Sequence, residues 1–221
     1  MRLIILGPSG AGKGTQAKRI ADYFGMRHVS TGDILREEIR RETELGKSVE
    51  DLIDSGNLVD DEIMIPLVDN FIKEDNFILD GFPRTLNQAL ALDEICRKHN
   101  TPLDLALLVD VPDGVIVERI TGRKACPKCG AVFHKTFFPP KKEGVCDNCR
   151  TPLIQREDDT HETVERRLLI YHELTEPIVQ YYEEKNLLSR VNGLGDANEI
   201  NNNLKNVIHV VRVPRIPYMP E

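Results

Sequence analysis

The chain has 221 residues and a mass of 25.1 kDa, with 40% hydrophobic and 29% charged residues. This length and composition predict a globular protein that buries a core without disulfide staples, as one domain with an insert or at most two small domains. The formal net charge of −7 excludes a generally basic nucleic-acid-binding protein, although a local basic site is compatible with it. No apolar stretch approaches the roughly 18 residues of a membrane span, and the N-terminus does not resemble a signal peptide, so we expect a cytoplasmic protein.

Short apolar runs alternate with longer segments of helical periodicity. Four runs predict buried parallel strands, at residues 3–6, 76–79, 105–111 and 187–191. Helical spacing predicts helices between them, at residues 15–24, 31–41, 47–55, 60–73, 85–99 and 160–184. This alternation predicts an α/β fold with a parallel sheet, helices on both faces and a ligand site at the carboxyl ends of the strands. The tail at 213–221, which holds three prolines, is expected to lie outside the core.

A glycine-rich loop directly follows the first predicted strand. From Gly7 to Lys13 it has the spacing of a phosphate-binding loop, but Gly14 stands where the strict pattern has Ser or Thr, and Thr15 follows. Glycines let backbone N–H groups curl around a polyphosphate, Lys13 adds a positive charge, and a helix N-terminus favours an anion. An ordinary glycine turn is the alternative, and the position straight after a strand favours phosphate binding.

Four of the five cysteines form two pairs, Cys126 with Cys129 and Cys146 with Cys149. Two residues separate the members of each pair and sixteen separate the pairs, a pattern typical of a tetrahedral structural zinc site. Disulfides or a redox dithiol are the alternatives, which the spacing and a cytoplasmic setting disfavour. Four thiolates leave no open position for a substrate water, so we expect zinc to fold its segment without catalysing. The fifth, Cys96, is expected to be a buried core thiol.

Several isolated arginines stand at segment ends or beside loops. Arginine forks pair with phosphate oxygens through two parallel hydrogen bonds. A surface salt bridge is the ordinary explanation for any one of them, whereas the set beside a phosphate loop predicts a clamp on phosphates. The residues are Arg36, Arg84, Arg119, Arg123, Arg156 and Arg167.

Together these motifs resemble the adenylate kinase family, in its form with a long zinc-bearing lid. The resemblance covers about residues 1–210, and in this family the sequence Asp-Gly-Phe-Pro-Arg, here at 80–84, is close to diagnostic. The Gly14-Thr15 departure is the family's usual form and so supports the resemblance. The matching segments are residues 7–15, 30–36, 56–59, 80–84, 121–123 and 156–159, together with Gln88 and Arg167.

The resemblance implies a P-loop NTPase-like core made of residues 1–29, 60–121 and 160–221. A small helical insert at 30–59 would bind the nucleoside monophosphate, and residues 122–159 would form the zinc-bearing lid. The implied activity is reversible phosphoryl transfer, MgATP + AMP = 2 ADP, in nucleotide homeostasis. Structural Zn²⁺ and the Mg²⁺ of MgATP are the implied cofactors. We expect a monomer whose partners are ATP, AMP and ADP, with no nucleic acid and no membrane.

For ATP, the resemblance implies two sets of contacts. The phosphates would be held by Gly10, Ala11, Gly12, Lys13, Gly14 and Thr15. The remainder of ATP would be covered by Arg119 stacked on the base, by Arg123, Val132 and Phe133 of the lid side, and by the backbone near Gly195. Thr15 would meet Mg²⁺ directly, and Asp80 would reach it through water.

For AMP, the resemblance implies a second set of contacts, in which Asn57 and Val59 act through backbone atoms. Gln88 would hydrogen-bond the adenine edge, because an amide offers both a donor and an acceptor. The implied AMP-binding residues are Thr31, Arg36, Asn57, Leu58, Val59, Gly81, Phe82, Pro83, Arg84, Gln88, Arg156 and Arg167. The implied catalytic residues are Lys13, Arg84, Arg123, Arg156 and Arg167, with Asp158 and Asp159 orienting the arginines.

Three other interpretations stay open. A zinc-ribbon nucleotide-switch module that binds nucleic acid is disfavoured by the net charge of −7. A P-loop hydrolase without an acceptor would be supported by ATP hydrolysis in the absence of AMP. A kinase specific for UMP, CMP or GMP is disfavoured by Gln88 and by the long lid.

Overall fold

The computed structural model of the chain describes residues 1–73 and 76–212. Its strands are β1 (Arg2–Leu6), β2 (Arg27–Ser30), β3 (Phe77–Asp80), β4 (Leu105–Asp110), β5 (Arg123–Ala125), β6 (Val132–His134) and β7 (Leu188–Asn192). Five of them form one parallel sheet in the order β2-β3-β1-β4-β7, whereas β5 and β6 form an antiparallel pair. The tail at 213–221, expected to leave the core, lies outside the described residues.

The helices pack on both faces of this sheet. They are α1 (Lys13–Phe24), α2 (Thr31–Arg40), α3 (Glu44–Asp54), α4 (Asp61–Phe71), α5 (Leu86–Lys98), α6 (Asp113–Thr121), α7 (His161–Ile170), α8 (Glu176–Glu184) and α9 (Ala197–Arg212). Within the described ranges, no helix combines the length and the apolarity that crossing a membrane requires.

Two hydrophobic clusters lie on the opposite faces of the sheet, because successive strand residues point to opposite sides. On β1, Leu3 and Ile5 belong to the cluster that includes residues of α1 and α9, whereas Ile4 and Leu6 belong to the cluster that includes residues of α5 and α8. Strands buried on both faces are apolar without alternation, which is the pattern of the predicted strands. The predicted α/β fold, a parallel sheet covered on both faces, is confirmed.

The elements that escaped sequence prediction include β2, α6 and α9. The strand β2 has the sequence Arg-His-Val-Ser and lies at the edge of the sheet, so its residues are not continuously apolar. The short helix α6 starts immediately after Pro112 and offers little periodicity. The helix α9 is rich in asparagine, a weak helix former, although Ile200, Leu204 and Ile208 are buried at helical spacing along it.

The helix predicted at 160–184 is interrupted by a π-helical segment, Tyr171–Thr175, between α7 and α8. Pro177 lies in the first turn of α8 and has no N–H to donate to the preceding turn, which favours a local change of hydrogen bonding. The interruption matters because this segment lies beside the cluster of arginines described below.

The cysteine-bearing segment has a small core of its own. Cys126, Phe133 and Cys146 are buried there, with Leu153 packed against them. Strand β6 lies in this segment and carries Phe133. By contrast, Cys96 is buried in the main core on α5, as expected, and its burial raises the pKa of the thiol to about 11.

Candidate active site

The glycine-rich loop wraps the N-terminus of α1. Gly10 and Gly12 have φ angles of 86° and 91°, in the left-handed region that favours glycine. A Cβ atom on Gly10 would lie 2.7 Å from the side chain of Ile120, so the loop also has no room for one there. Because α1 begins at Lys13, its unpaired N–H groups face the space inside the loop, where an anion is favoured.

The Lys13 side chain reaches back across the loop. Its Nζ donates hydrogen bonds to the carbonyl oxygens of Gly7 at 2.7 Å and Pro8 at 2.8 Å. Burial lowers the pKa of Lys13 to about 8, with Asp80 opposing this shift and neighbouring arginines adding to it. The charged form of Lys13 is therefore destabilised by burial until an anion binds to the loop.

This lowered pKa predicts a pH dependence of ATP binding. Without a bound anion, Lys13 loses its proton as the pH rises through about 8, so kcat/KM for ATP, the ligand that the resemblance implies, should fall above that pH. Bound phosphates stabilise the charge, so kcat should fall only at a higher pH. Lys13 affects the stability of the fold in the opposite direction. Between pH 8 and pH 10.5, approximately, Lys13 is more protonated in the unfolded chain than in the folded one, so its contribution to the free energy of unfolding rises with pH.

The measurement is kcat/KM for ATP from pH 7 to about 9.5, for wild type and for Lys13→Arg, since arginine stays charged throughout this range. The wild-type value should fall and the Lys13→Arg value, whatever its level, should stay flat. A wild-type profile that is flat to the upper limit would contradict the prediction.

Four guanidinium groups converge beside the loop. Arg123 donates from Nε to Asp159 at 2.7 Å, and Arg167 pairs with Asp158 at 2.5 Å. Desolvation lowers the pKa of Arg84 to about 10, and the nearby charges of Arg167 and Arg36 add to the shift. Desolvation likewise lowers the pKa of Arg156 to about 10.

Arg84 and Arg156 differ from the other two arginines in lacking an acidic partner. Within residues 1–73 and 76–212, no carboxylate lies within ion-pair distance of either guanidinium. The Nε of Arg84 donates only to the carbonyl oxygen of Gly81, at 2.8 Å. Asp80 near Arg84, and Asp158 and Asp159 near Arg156, offset the desolvation only in part. Desolvated cations with no carboxylate in direct contact form a site that is complementary to an anion.

Asp80, at the end of β3, is the acidic group next to the loop. It is 8% exposed, and its Oδ2 would lie 3.1 Å from a Cβ atom built on Gly14. The close approach explains why glycine stands at that position, since a larger side chain would press on the carboxylate. On its other side, the Nε2 of His28 lies 3.6 Å from the same oxygen.

The residues expected to bind AMP come from several elements. Thr31 is buried and donates to the carbonyl oxygen of Asp80 at 3.3 Å, while Arg36 pairs with Asp33 at 2.7 Å. The amide of Asn57 is engaged by Ser55 and by Arg166, which leaves its backbone as the freer group. Val59 and Phe82 are buried in the main core, Pro83 is buried beside them, and Leu58 and Gly81 are half-buried.

Gln88 is buried at the start of α5, where the side chain of Thr85 accepts a hydrogen bond from its backbone N–H. Its Oε1 accepts from the backbone N–H of Arg84 at 2.8 Å, and its Nε2 donates to Asp61 at 2.7 Å. Gln88 and Arg84 are thereby held together in the structure.

The residues expected to cover the ATP base meet at the end of α6. Arg119 donates to the carbonyl oxygen of Gly193 at 2.8 Å, and its guanidinium lies 5.7 Å from the centre of the Phe137 ring. Gly195, with a φ angle of 101°, follows two residues later. Val132 is half-buried, whereas Phe133 is 4% exposed and packs with Cys126 and Cys146 in the core of the cysteine-bearing segment.

Two residues of the site escaped sequence prediction. Phe137 is 50% exposed beside Arg119, and an aromatic residue in a polar insert was the available signal. Thr175, in the π-helical segment, donates its hydroxyl to the carbonyl oxygen of Arg84 at 2.8 Å. Thr175 and Arg84 are 91 positions apart, so no local sequence pattern connects them.

The four paired cysteines meet at one point. Their sulfur atoms all lie within 4.8 Å of one another, with Cys126 and Cys149 at 3.3 Å and Cys129 and Cys146 at 3.5 Å. A disulfide bond would be about 2 Å long, whereas a tetrahedral zinc–thiolate site places its sulfurs about 3.8 Å apart. The four cysteines can therefore hold a metal ion, and their thiol donor set suits zinc.

Comparison with known proteins identifies one family. The adenylate kinase family model matches residues 5–187. The chain is 50% identical over 212 residues to an adenylate kinase of Clostridium botulinum strain Hall, covering 94% of this chain and 98% of the relative. It is 48% identical to that of Clostridium tetani over the same length and coverage. It is 52% identical to that of Caldicellulosiruptor saccharolyticus over 192 residues, covering 85% and 89% of the two chains.

Proposed function

The chain belongs to the adenylate kinase family and is a nucleoside monophosphate kinase. We propose that its converging cationic side chains stabilise the direct transfer of a phosphoryl group from MgATP to AMP. The observation that carries this residue-level proposal is the pair Arg84 and Arg156, two desolvated guanidiniums without a carboxylate in the described part of the chain. Together with Lys13, they form a site for an anion with several charges.

The reaction needs no covalent intermediate with the enzyme. An oxygen of the AMP phosphate attacks the γ-phosphorus of ATP in line, the bond from that phosphorus to the β-phosphate oxygen breaks, and two ADP result. Charge spreads over the oxygens of the transferring group, and fixed positive groups stabilise it. The proposed catalytic residues are Lys13 on the donor phosphates and Arg84, Arg123, Arg156 and Arg167 around the transferring and acceptor phosphates.

Thr15 and Asp80 are the proposed residues on the magnesium side of the donor phosphates. A hydroxyl and a carboxylate are oxygen donors of the kind that Mg²⁺ prefers, and Asp80 lies directly against the loop at Gly14. When bound, the ion supplies positive charge to the phosphate oxygens. The protein's own part is to hold Asp80 in place, through the close contacts with Gly14 and His28.

For the two bases we propose separate pockets. Arg119 and Phe137 would enclose the ATP base, with Gly195 contacting it through backbone and Val132 and Phe133 forming the adjoining strand of the lid. Gln88 would hydrogen-bond the AMP base, with the insert at 30–59 closing over it. The proposed contacts of the loop to the ATP phosphates are made by Gly10, Ala11, Gly12, Gly14 and Thr15. Those to AMP are made by Thr31, Arg36, Asn57, Leu58, Val59, Gly81, Phe82 and Pro83.

We also propose that residues 122–159 act as a lid folded by one structural zinc ion on its four cysteines. A lid that excludes water prevents hydrolysis of ATP, because water is the competing nucleophile. A monomer is part of this proposal, as the family resemblance implies. Thiol ligands and nucleotide substrates support a cytoplasmic setting.

The test is a coupled assay of MgATP with AMP, UMP, CMP, GMP or no acceptor. We expect turnover with AMP and little with UMP or GMP, because Gln88 offers the donor and acceptor that adenine needs, whereas the oxo groups and ring N–H groups of uracil and guanine reverse that pattern. Rapid turnover with UMP or GMP would contradict the role of Gln88. Hydrolysis at the same rate without any acceptor would contradict phosphoryl transfer as the function of this site.

A further inference from the structure

The side-chain amide of Gln88 is held in one orientation by its neighbours. Its Oε1 accepts from the backbone N–H of Arg84 at 2.8 Å, and that N–H is a donor only. Its Nε2 donates to the Oδ1 of Asp61 at 2.7 Å, and that carboxylate is an acceptor only. Rotating the amide by 180° would place donor against donor and acceptor against acceptor, so the pair of contacts excludes the rotated form.

Each end of this amide keeps one further hydrogen-bonding position. A glutamine side chain has two N–H groups and two oxygen lone pairs, and Asp61 and Arg84 engage one of each. The oxygen can therefore still accept one hydrogen bond and the nitrogen can still donate one. A ligand that meets both must present a donor opposite Oε1 and an acceptor opposite Nε2.

Adenine meets this requirement, and hypoxanthine reverses it. The 6-amino group of adenine donates and its N1 accepts, whereas the 6-oxo group of hypoxanthine accepts and its N1–H donates. IMP, the hypoxanthine nucleotide, differs from AMP only in these groups. A glutamine free to rotate would accommodate both nucleotides, whereas a fixed glutamine favours AMP.

Asp61 is itself well placed for this role. It is the first residue of α4, where a helix N-terminus stabilises negative charge, and it comes two residues after Val59. Its second oxygen, Oδ2, accepts from the side chain of Asn87 at 2.6 Å. Both carboxylate oxygens are thus engaged by consecutive residues of α5, which sets the orientation of the carboxylate.

We propose that Asp61 is a positioning residue that makes the enzyme selective for 6-aminopurine over 6-oxopurine monophosphates, by fixing the amide of Gln88. This inference rests on the proposed contact between Gln88 and the base of AMP. In this proposal Asp61 acts on the nucleotide through Gln88.

The experiment compares Asp61→Ala with wild type, using AMP and IMP as acceptors and MgATP as donor. Loss of one hydrogen bond that fixes the amide should lower the ratio of kcat/KM for AMP to that for IMP by about tenfold. KM for ATP should stay unchanged. Asp60→Ala is the matched control, because Asp60 is adjacent and exposed and its side chain makes no capping hydrogen bond to α4.

A conservative variant separates positioning from simple damage. Asp61→Asn keeps an oxygen that can accept from Gln88, so its AMP-to-IMP ratio should stay within about threefold of wild type. If Asp61→Ala does not fold, Asn87→Ala releases the second carboxylate oxygen and should lower the same ratio by a smaller factor.

If the AMP-to-IMP ratio of Asp61→Ala equals that of wild type, and the wild-type enzyme phosphorylates AMP, the inference about Asp61 is overturned and the proposed function is not. An equal fall in Asp60→Ala would also overturn it, because the effect would then be general to this helix end. A wild-type enzyme that does not phosphorylate AMP would instead overturn the proposed function.

Discussion

Replacing Arg84 by alanine is expected to lower kcat by about a hundredfold to a thousandfold, the usual cost of losing a group that stabilises charge in the transition state. The free energy of unfolding should stay the same or rise. Folding desolvates this guanidinium beside Arg167 and Arg36 and provides no carboxylate partner in the described ranges, so its charge opposes folding. The measurements are kcat in the coupled assay and the free energy of unfolding in urea.

Arg123 provides the contrast within the same cluster. Its partner Asp159 has a fully buried side chain, so Arg123→Ala leaves a buried carboxylate without a counter-ion. Breaking a buried pair in this way costs about 3–5 kcal/mol. Activity and stability should therefore both fall in Arg123→Ala, while only activity falls in Arg84→Ala.

Arg97→Ala is the control for both variants, since Arg97 is 80% exposed on α5 and pairs only with Glu94. Neither kcat nor stability should change in it, because exposed ion pairs contribute little. An Arg84→Ala enzyme with near wild-type kcat would refute the role of this guanidinium in phosphoryl transfer.

The second large effect is expected from the cysteine cluster. Cys126→Ala should lose the bound metal and lower Tm by about 10 °C or more, because metal binding contributes directly to the folding of such a segment. At 25 °C kcat should fall by less than about threefold, since an all-thiolate site offers no open position for substrate. Thermal unfolding, metal content and kcat of one preparation measure all three quantities.

Cys96→Ala is the matched control, because Cys96 is a buried thiol outside the cluster. It should keep the metal and lower Tm by only a few degrees, as expected for the loss of a small core side chain. A Cys126→Ala enzyme with unchanged Tm and a strongly lowered kcat would show that the cluster takes part in the reaction.

The sheet and the edge that carries the site were predictable because buried parallel strands are continuous apolar runs. Asp80 and the loop after Leu6 were assigned to the ends of such strands, and both lie at that edge. The cysteine cluster was predictable for a similar reason, since the spacing of the cysteines indicates the geometry that brings their sulfurs together.

The contacts that orient the site were not predictable, because they join residues far apart in the chain. Asp61 and Gln88 are 27 positions apart, and Thr175 and Arg84 are 91 apart. The π-helical segment that carries Thr175 has no periodicity that distinguishes it from the helices on either side. Candidate substrate-binding residues can therefore be predicted from the sequence. The residues that hold them in position are much harder to predict.

We expect the γ-phosphoryl group of ATP to pass to AMP and not to water. Phosphorus NMR of the enzyme with MgATP and AMP tests it directly, because ATP, AMP, ADP and inorganic phosphate are resolved in one spectrum. We predict that ATP and AMP fall in equal amounts, that two ADP form for each ATP consumed, and that no phosphate appears before equilibrium. Phosphate released equally fast with and without AMP would show instead that water is the acceptor of the phosphoryl group.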